Sequence, residues 1–254
     1  MWRAAGGFVL YRTAILVDAG FFLKRYAHIM PSIDHSDAEL AADNLYDLCA
    51  RHLSSKVRKG KKTTFERDSE LYRLFVYDSP PLEKRLHKPV SKRAINLALS
   101  PEAIFRNQFH KALLRKRKVA LRLGRLAEKT GTWRFTQSAQ KRLIGDINKL
   151  LTLTDDDFTL DIGQKGVDMR IGLDIASISF KRQVDRIVLI AGDSDFVPAA
   201  KLARREGIDF VLDPLWLKVS DDLLEHIDGL RSTSANPNPE AKAANQSTDV
   251  GAKG

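Results

Sequence analysis

Two carboxylates stand one residue apart in Gly192-Asp-Ser-Asp-Phe196, and two more occur in Val17-Asp-Ala-Gly20 and Gly163-Gln-Lys-Gly-Val-Asp168. Asp18, Asp168, Asp193 and Asp195 all offer hard oxygen donors. Mg2+ and Mn2+ suit such a set, because acids crowded into one site repel one another until a cation neutralises them. A cation so held can polarise a phosphate, activate water and stabilise a leaving oxygen. Phosphodiester hydrolysis is then the economical expectation. Plainer roles compete with it. Asp195 or Ser194 reads equally well as the cap of the following helix, and Asp168 as an acid favoured at a helix N-terminus. Asp78 precedes Ser79-Pro80-Pro81, where a turn role competes with a supporting one beside the site. Asp174 reads as a structural or helper residue on the flank of a helical stripe.

These acids matter only if the chain gathers them. Ile187 to Ile190 is too short for a helix and rich in β-branching, which predicts a strand buried on both faces. Ala191-Gly192 allows a sharp turn after it, and Pro198 suits the first turn of a helix. Thr13 to Val17 predicts a first strand ending at Asp18, Leu71 to Tyr77 a second, Val119 to Leu126 a third, and Asp209 to Leu212 a fifth. Ser36-Asp-Ala-Glu39 has the form of a capping box, opening a helix that ends before Ser54. Further helices are expected from Pro101 through Lys116, over Gln140 to Leu151, from Gly163–Asp168 through Phe180, over Ala199 to Glu206, and from Ser220 to Gly229. Lys56 to Asp68 reads as an exposed basic loop, Pro89 to Ser100 as irregular or partly helical, and Trp133 to Phe135 as an edge strand. Alternating strands and helices imply a parallel sheet covered on both faces. The four acids then share its carboxyl edge, where open α/β sheets bind ligands.

Length and composition fit this frame. The chain has 254 residues, 43% of them hydrophobic, enough for one generous α/β domain or two small ones. A single cysteine, Cys49, and six scattered histidines argue against an internal disulfide or a structural zinc. Arg12 interrupts the early apolar run, so no membrane segment and a cytoplasmic protein are expected. The expected division is a lead over 1–12, one domain over 13–230, and a disordered tail over 231–254, where Ser, Asn, Pro and Lys lack apolar periodicity. The formal charge is +10, and it is segregated. Lys56 to Lys149 holds 25 Lys and Arg against 8 Asp and Glu, a net of +17 that leaves −7 for the remainder. A basic middle of about 56–149 in an acidic frame suggests a polyanion partner, with nucleic acid favoured. Arg115, Lys116, Arg117, Lys118, Arg122, Arg125 and Lys165 are the candidate phosphate contacts. A homo-oligomer is left open.

The chain resembles bacterial LabA-like NYN-domain proteins of the PIN-like nuclease superfamily, over roughly Thr13 to Leu230. The resemblance is carried by Val17-Asp-Ala-Gly-Phe-Phe22, Gln164-Lys-Gly-Val-Asp168, Gly192-Asp-Ser-Asp-Phe196 and the order of elements. It implies a Rossmann-like, PIN-like three-layer α/β fold with a mainly parallel sheet in the order 3-2-1-4-5. It also implies a divalent-metal ribonuclease site at Asp18, Asp168, Asp193 and Asp195, with Asp174 as helper and Mg2+ or Mn2+ as cofactor. Many relatives carry Asn three residues after the first Asp, where Phe21 stands here. Two other readings share the motifs. One is a non-catalytic RNA-binding or adaptor protein on the same fold. The other is a haloacid-dehalogenase-type phosphatase, whose first motif needs a second Asp where Gly20 stands.

Overall fold

The structure is a computed structural model describing residues 10–60, 62–127 and 130–238. Its centre is a parallel sheet of β1 (Tyr11–Asp18), β2 (Ser69–Asp78), β3 (Val119–Leu123), β4 (Arg186–Ile190), β5 (Asp209–Asp213) and β6 (Gly229–Leu230). Across the sheet these run β3-β2-β1-β4-β5-β6. The short β6 adds a strand to the five expected. Helices α1 (Ala19–Ile29), α2 (Ala38–Arg51), α3 (Pro101–Leu114), α4 (Gln137–Gly145), α5 (Val167–Phe180), α6 (Val197–Arg205) and α7 (Asp221–Leu224) lie between the strands in sequence.

Strand periodicity divides the core in two. Ile15, Val17, Leu74, Val76, Val188 and Ile190 face one way and pack with Phe22 and Tyr26 of α1, Leu45 and Leu48 of α2, and Phe109 and Leu113 of α3. Ala14, Leu16, Phe75, Tyr77, Leu189 and Phe210 face the other, against Ile171 and Ile175 of α5 and Ala200 and Ala203 of α6. Helices on both faces are what make the central strands read as unbroken apolar runs.

Several elements differ from expectation. The basic stretch after α2 is a hairpin, with Ser54–Lys59 paired antiparallel to Lys62–Arg67. A second hairpin joins Arg85–His87 to Ala94–Asn96, its second strand inside the Pro89–Ser100 stretch expected to be irregular or partly helical. Asp37 rather than Ser36 caps α2, its Oδ1 accepting the Glu39 and Leu40 amides, while the Ser36 hydroxyl turns to Asp34. The third strand stops at Leu123. Arg125–Leu126 pairs instead with Gln164–Lys165, and Thr132–Phe135 pairs with Phe158–Asp161 away from the main sheet. The helix expected to reach Leu151 ends at Gly145 and is followed by a 3-10 turn, Ile147–Thr152. The last helix is a single turn, α7.

The first residues assigned to the expected tail are bound to the fold. Asp213 is fully buried at the end of β5. Its Oδ1 accepts the Leu215 amide at 2.9 Å and the Ser232 hydroxyl at 2.7 Å, and His52 Nε2 lies 3.0 Å from Oδ2. Thr233 Oγ1 donates to the Leu48 carbonyl, and Trp216 Nε1 donates to Ser234 Oγ at 3.0 Å. Residues 231–234 are therefore part of the folded unit; 239–254 lie outside the described residues. A chain ended after Leu230 should melt below one ended after Asn238. Leaving Asp213 and its neighbours short of partners costs about 2–4 kcal/mol, or roughly 5–15 °C for a chain of this size. Equal melting temperatures by circular dichroism would show that residues 231–238 add nothing.

Candidate functional site

The strand order reverses at β1, whose neighbours β2 and β4 lead to opposite sides of the sheet. Crevices at such a reversal, outside the strand carboxyl ends, are where open α/β sheets bind ligands. A cleft of about 640 Å³ lies there. It is lined by Asp18, Gly20 and Phe21 after β1, Gly166, Val167 and Asp168 at the start of α5, and Gly192, Asp193 and Ser194 after β4. Lys24, Leu217, Lys218 and Ser220 complete the lining.

Each acid is delivered by a different local device. Asp18 caps α1, its Oδ1 accepting the Phe21 amide at 3.0 Å. Asp193 caps the 3-10 turn Ser194–Phe196, its Oδ1 accepting the Asp195 amide at 3.1 Å, and buried Phe196 anchors that turn in the core. Capping therefore accompanies the cleft position. A carboxylate has two oxygens, and one suffices for a cap. Asp168 stands in the first turn of α5, behind Gly166 at φ 81°, a left-handed conformation that glycine adopts without strain. Gly124 holds the preceding loop close, since a Cβ there would meet the Lys165 carbonyl oxygen at 2.9 Å and Val167 Cγ2 at 2.8 Å. Phe21 lies across Gly192, where a Cβ would come within 2.4 Å of its ring.

The electrostatics tie the acids together. Burial pushes the half-buried Asp18 carboxyl above its usual range against the pull of the Phe21 amide, and Asp168 and Asp78 add repulsion. Asp168 is also raised, first by desolvation and then by Asp193 and Asp195. Asp195 thus acts on the site by charge, although it is not among the residues lining the cleft. The supporting acids stand elsewhere. Asp78 is buried, 2.5 Å from Arg106 Nη1 and 2.7 Å from His110 Nε2. Asp174 accepts the Tyr77 hydroxyl at 2.7 Å and pairs with Arg122 at 3.3 Å.

The expected basic grip does not gather around the cleft. Arg115 to Lys118 precede β3 and so lie at the amino edge of a parallel sheet, opposite the acids. They are engaged there, Arg115 with Glu39, Lys116 with Asp43 and Lys118 with Glu70, while the Arg117 carbonyl accepts the Tyr46 hydroxyl. Arg122 is held by Asp174 and lies 5.6 Å from the Phe75 ring centroid. Arg125 and Lys165 pair through the two-residue ladder that fixes the loop before Asp168.

A family model described as the NYN domain matches residues 33–225. The chain belongs to the NYN-domain family. The matched span includes Asp168, Asp193 and Asp195, whereas Asp18 precedes it. A crystal structure of a Vibrio parahaemolyticus protein of unknown function is similar at 16% identity, covering 89% of this chain and 94% of that one, with a TM-score of 0.44. No curated protein matches significantly. No helix of this NYN-domain chain is long and apolar enough to cross a membrane, among the described residues.

A second acidic group lies near the Ser194–Phe196 turn. Asp222 of α7 and, just after that helix, Glu225 and His226 bring three donor atoms within 4.8 Å of one another, and α7 packs beside the Ser194–Phe196 turn. This small cluster is consistent with a potential divalent-metal site. Its i, i+3, i+4 placement after Ser220 was the available signal, in a sequence whose six histidines read as scattered.

The raised Asp18 pKa fixes the sign of its stability effect. A carboxyl whose folded pKa is raised stabilises the fold fully only below its unfolded pKa, and that contribution is lost as pH rises through the folded value. At neutral pH the Asp18 charge is therefore a burden. In EDTA, Asp18→Asn keeps a capping oxygen and should melt at or above wild type at neutral pH, the gain shrinking in acid. Asp18→Ala should lose about 1 kcal/mol of cap relative to Asn. Thermal melts across pH check both; an Asn variant less stable at neutral pH than in acid, relative to wild type, contradicts the sign.

Proposed function

We propose that this NYN-domain protein is a divalent-metal-dependent ribonuclease of the LabA-like type, with Asp18, Asp168, Asp193 and Asp195 as its metal-holding and catalytic carboxylates. One observation carries the reading: acids from three separate segments line a single cleft at the topological reversal of the sheet. The donor set is all oxygen, as Mg2+ and Mn2+ prefer. The cleft acids do not form a trio as tight as Asp222, Glu225 and His226. That spacing suits Mg2+, which keeps several waters and takes only one or two carboxylates directly. When bound, such a cation supplies charge neutralisation at a phosphate and a water of lowered pKa.

The chain's own groups supply the rest. Asp18 and Asp193 are fixed by their backbone caps, so each carboxylate is oriented before any ligand arrives. Asp168, desolvated and repelled by Asp193 and Asp195, gains from a nearby cation, which competes with protons for its carboxylate. Metal affinity should accordingly weaken as pH falls, starting above the ordinary carboxylate range. Asp174 steadies α5 from behind through Tyr77 and Arg122.

RNA binding without hydrolysis is a second reading, favoured by Phe21. An apolar ring lies across Gly192 beside Asp18 and Asp193, at the position where many relatives of the resembling family carry a polar Asn.

The test uses purified full-length protein with single-stranded RNA and Mn2+. Asp193→Asn preserves a capping oxygen at an exposed position, so the fold should persist while Mn2+-dependent cleavage falls at least about 100-fold, the upper range even for groups one step removed from a metal. Calorimetry should show Mn2+ affinity falling in Asp193→Asn and holding in Asp222→Asn. The reverse pattern would put the cation at α7. Wild type that binds RNA and never cleaves it would leave the second reading.

A further inference from the structure

Two exposed lysines line the cleft beside the acids. Lys24 projects from α1, which follows β1, and Lys218 from the loop after β5. In the sheet β4 lies between β1 and β5, so the Asp193 turn stands between the two cations. Among the described residues neither lysine has an acidic partner within 4.0 Å. They border the carboxylates without neutralising them. The cations at the other end of the sheet, in contrast, are paired with Glu39, Asp43 and Glu70.

The concavity also continues past Lys24. Gly20 and Lys24 are shared with an adjoining groove of about 510 Å³ whose other lining residues are Leu23, Arg106 and Ile162. Arg106 is held by Asp78, the last residue of β2. The path therefore follows the sheet edge in strand order, from β5 through β4 and β1 to β2. Three strand spacings amount to about 14 Å, longer than one phosphate needs. Ile162 is 41% exposed and gives the groove an apolar surface against which a base can rest, beside the Lys24 cation that suits a backbone.

We propose that a single-stranded nucleic-acid backbone crosses this edge from Lys218, over the acids, to Lys24 and on into the Leu23–Ile162–Arg106 groove. Lys24 and Lys218 are its positioning residues, gripping the phosphates on either side of the one held at the acids. The proposal rests on the reading of the cleft as an RNA site and adds the path and its two grips. An open groove on both sides of the acids accepts the interior of a strand, so a mononucleotide fills only part of it.

The experiment measures anisotropy of a labelled single-stranded oligoribonucleotide with the full chain in EDTA, at several salt concentrations. Lys24→Gln with Lys218→Gln should weaken binding roughly ten-fold and lower the log–log salt slope by about 1.4, two contacts at about 0.7 each for single strands. Replacing Arg115, Lys116 and Arg117 by Gln should change neither, and a nucleoside monophosphate should compete poorly. Melting temperatures verify that the variants fold, as expected for two exposed side chains. Unchanged affinity and slope in the lysine pair overturn the path, as does a slope lost only in the arginine–lysine triple or a wild type that does not bind. Cleavage with Mn2+ is scored separately. Lysine-dependent binding without cleavage sinks the nuclease reading and leaves the path, whereas cleavage with lysine-independent binding does the opposite.

Discussion

The register of β1 against β4 sets everything at the cleft. Val17 lies opposite Ile190 in a parallel ladder, so the two chains leave the sheet at the same height and turn within reach of each other. Parallel pairing forces this, because every strand then presents its carboxyl end to one edge. The two strands continue differently. After β1 the backbone enters a helix at once, with Asp18 as cap; after β4 it makes a 3-10 turn capped by Asp193 before α6 begins. Both turns need an acceptor at the same height, and both use aspartate. Like charges are thus brought together by backbone needs that each turn meets alone.

Stability and chemistry pull against each other at this edge. Desolvation and repulsion raise Asp18 and Asp168, and the fold tolerates them because two apolar layers and a network of buried pairs stand behind. Asp78 with Arg106 and His110 fixes the end of β2. Asp213 with His52, Leu215 and Ser232 fixes the end of β5. In both networks the acid is buried and satisfied. In the cleft the acids are more open and less satisfied, the condition under which a carboxylate can exchange a proton or water for another ligand.

Much of this was legible in the residues. The buried strands could be read because helices cover both faces, leaving unbroken runs such as Ala14–Val17 and Ile187–Ile190. The hairpin over 54–67 could not: its strands are exposed and basic and carry no apolar alternation to announce pairing. Arg115 to Lys118 misled for a different reason. The strand that follows them does lie at one side of the sheet, but residues before a parallel strand belong to the amino edge, and sequence nearness to Arg122 hides that reversal. Ser232 to Ser234 escaped notice because polar bonds to Asp213, Leu48 and Trp216 hold them, and composition registers apolar burial rather than such bonds. Asp37 was displaced by one residue from Ser36, since both can cap and only the observed backbone selects between them.

The contact between Phe21 and Gly192 binds two positions far apart in the chain into one unit of change. While the ring lies on that backbone, residue 192 admits no side chain without moving it. A smaller residue at 21 would lift the restriction, and a side chain could then appear at 192. The order of substitution therefore matters: 21 first is permissive, 192 first is obstructed. Among NYN domains that retain an acidic pair after this strand, the aromatic at the first turn and the glycine at the second are expected to covary, with divergence entering through position 21.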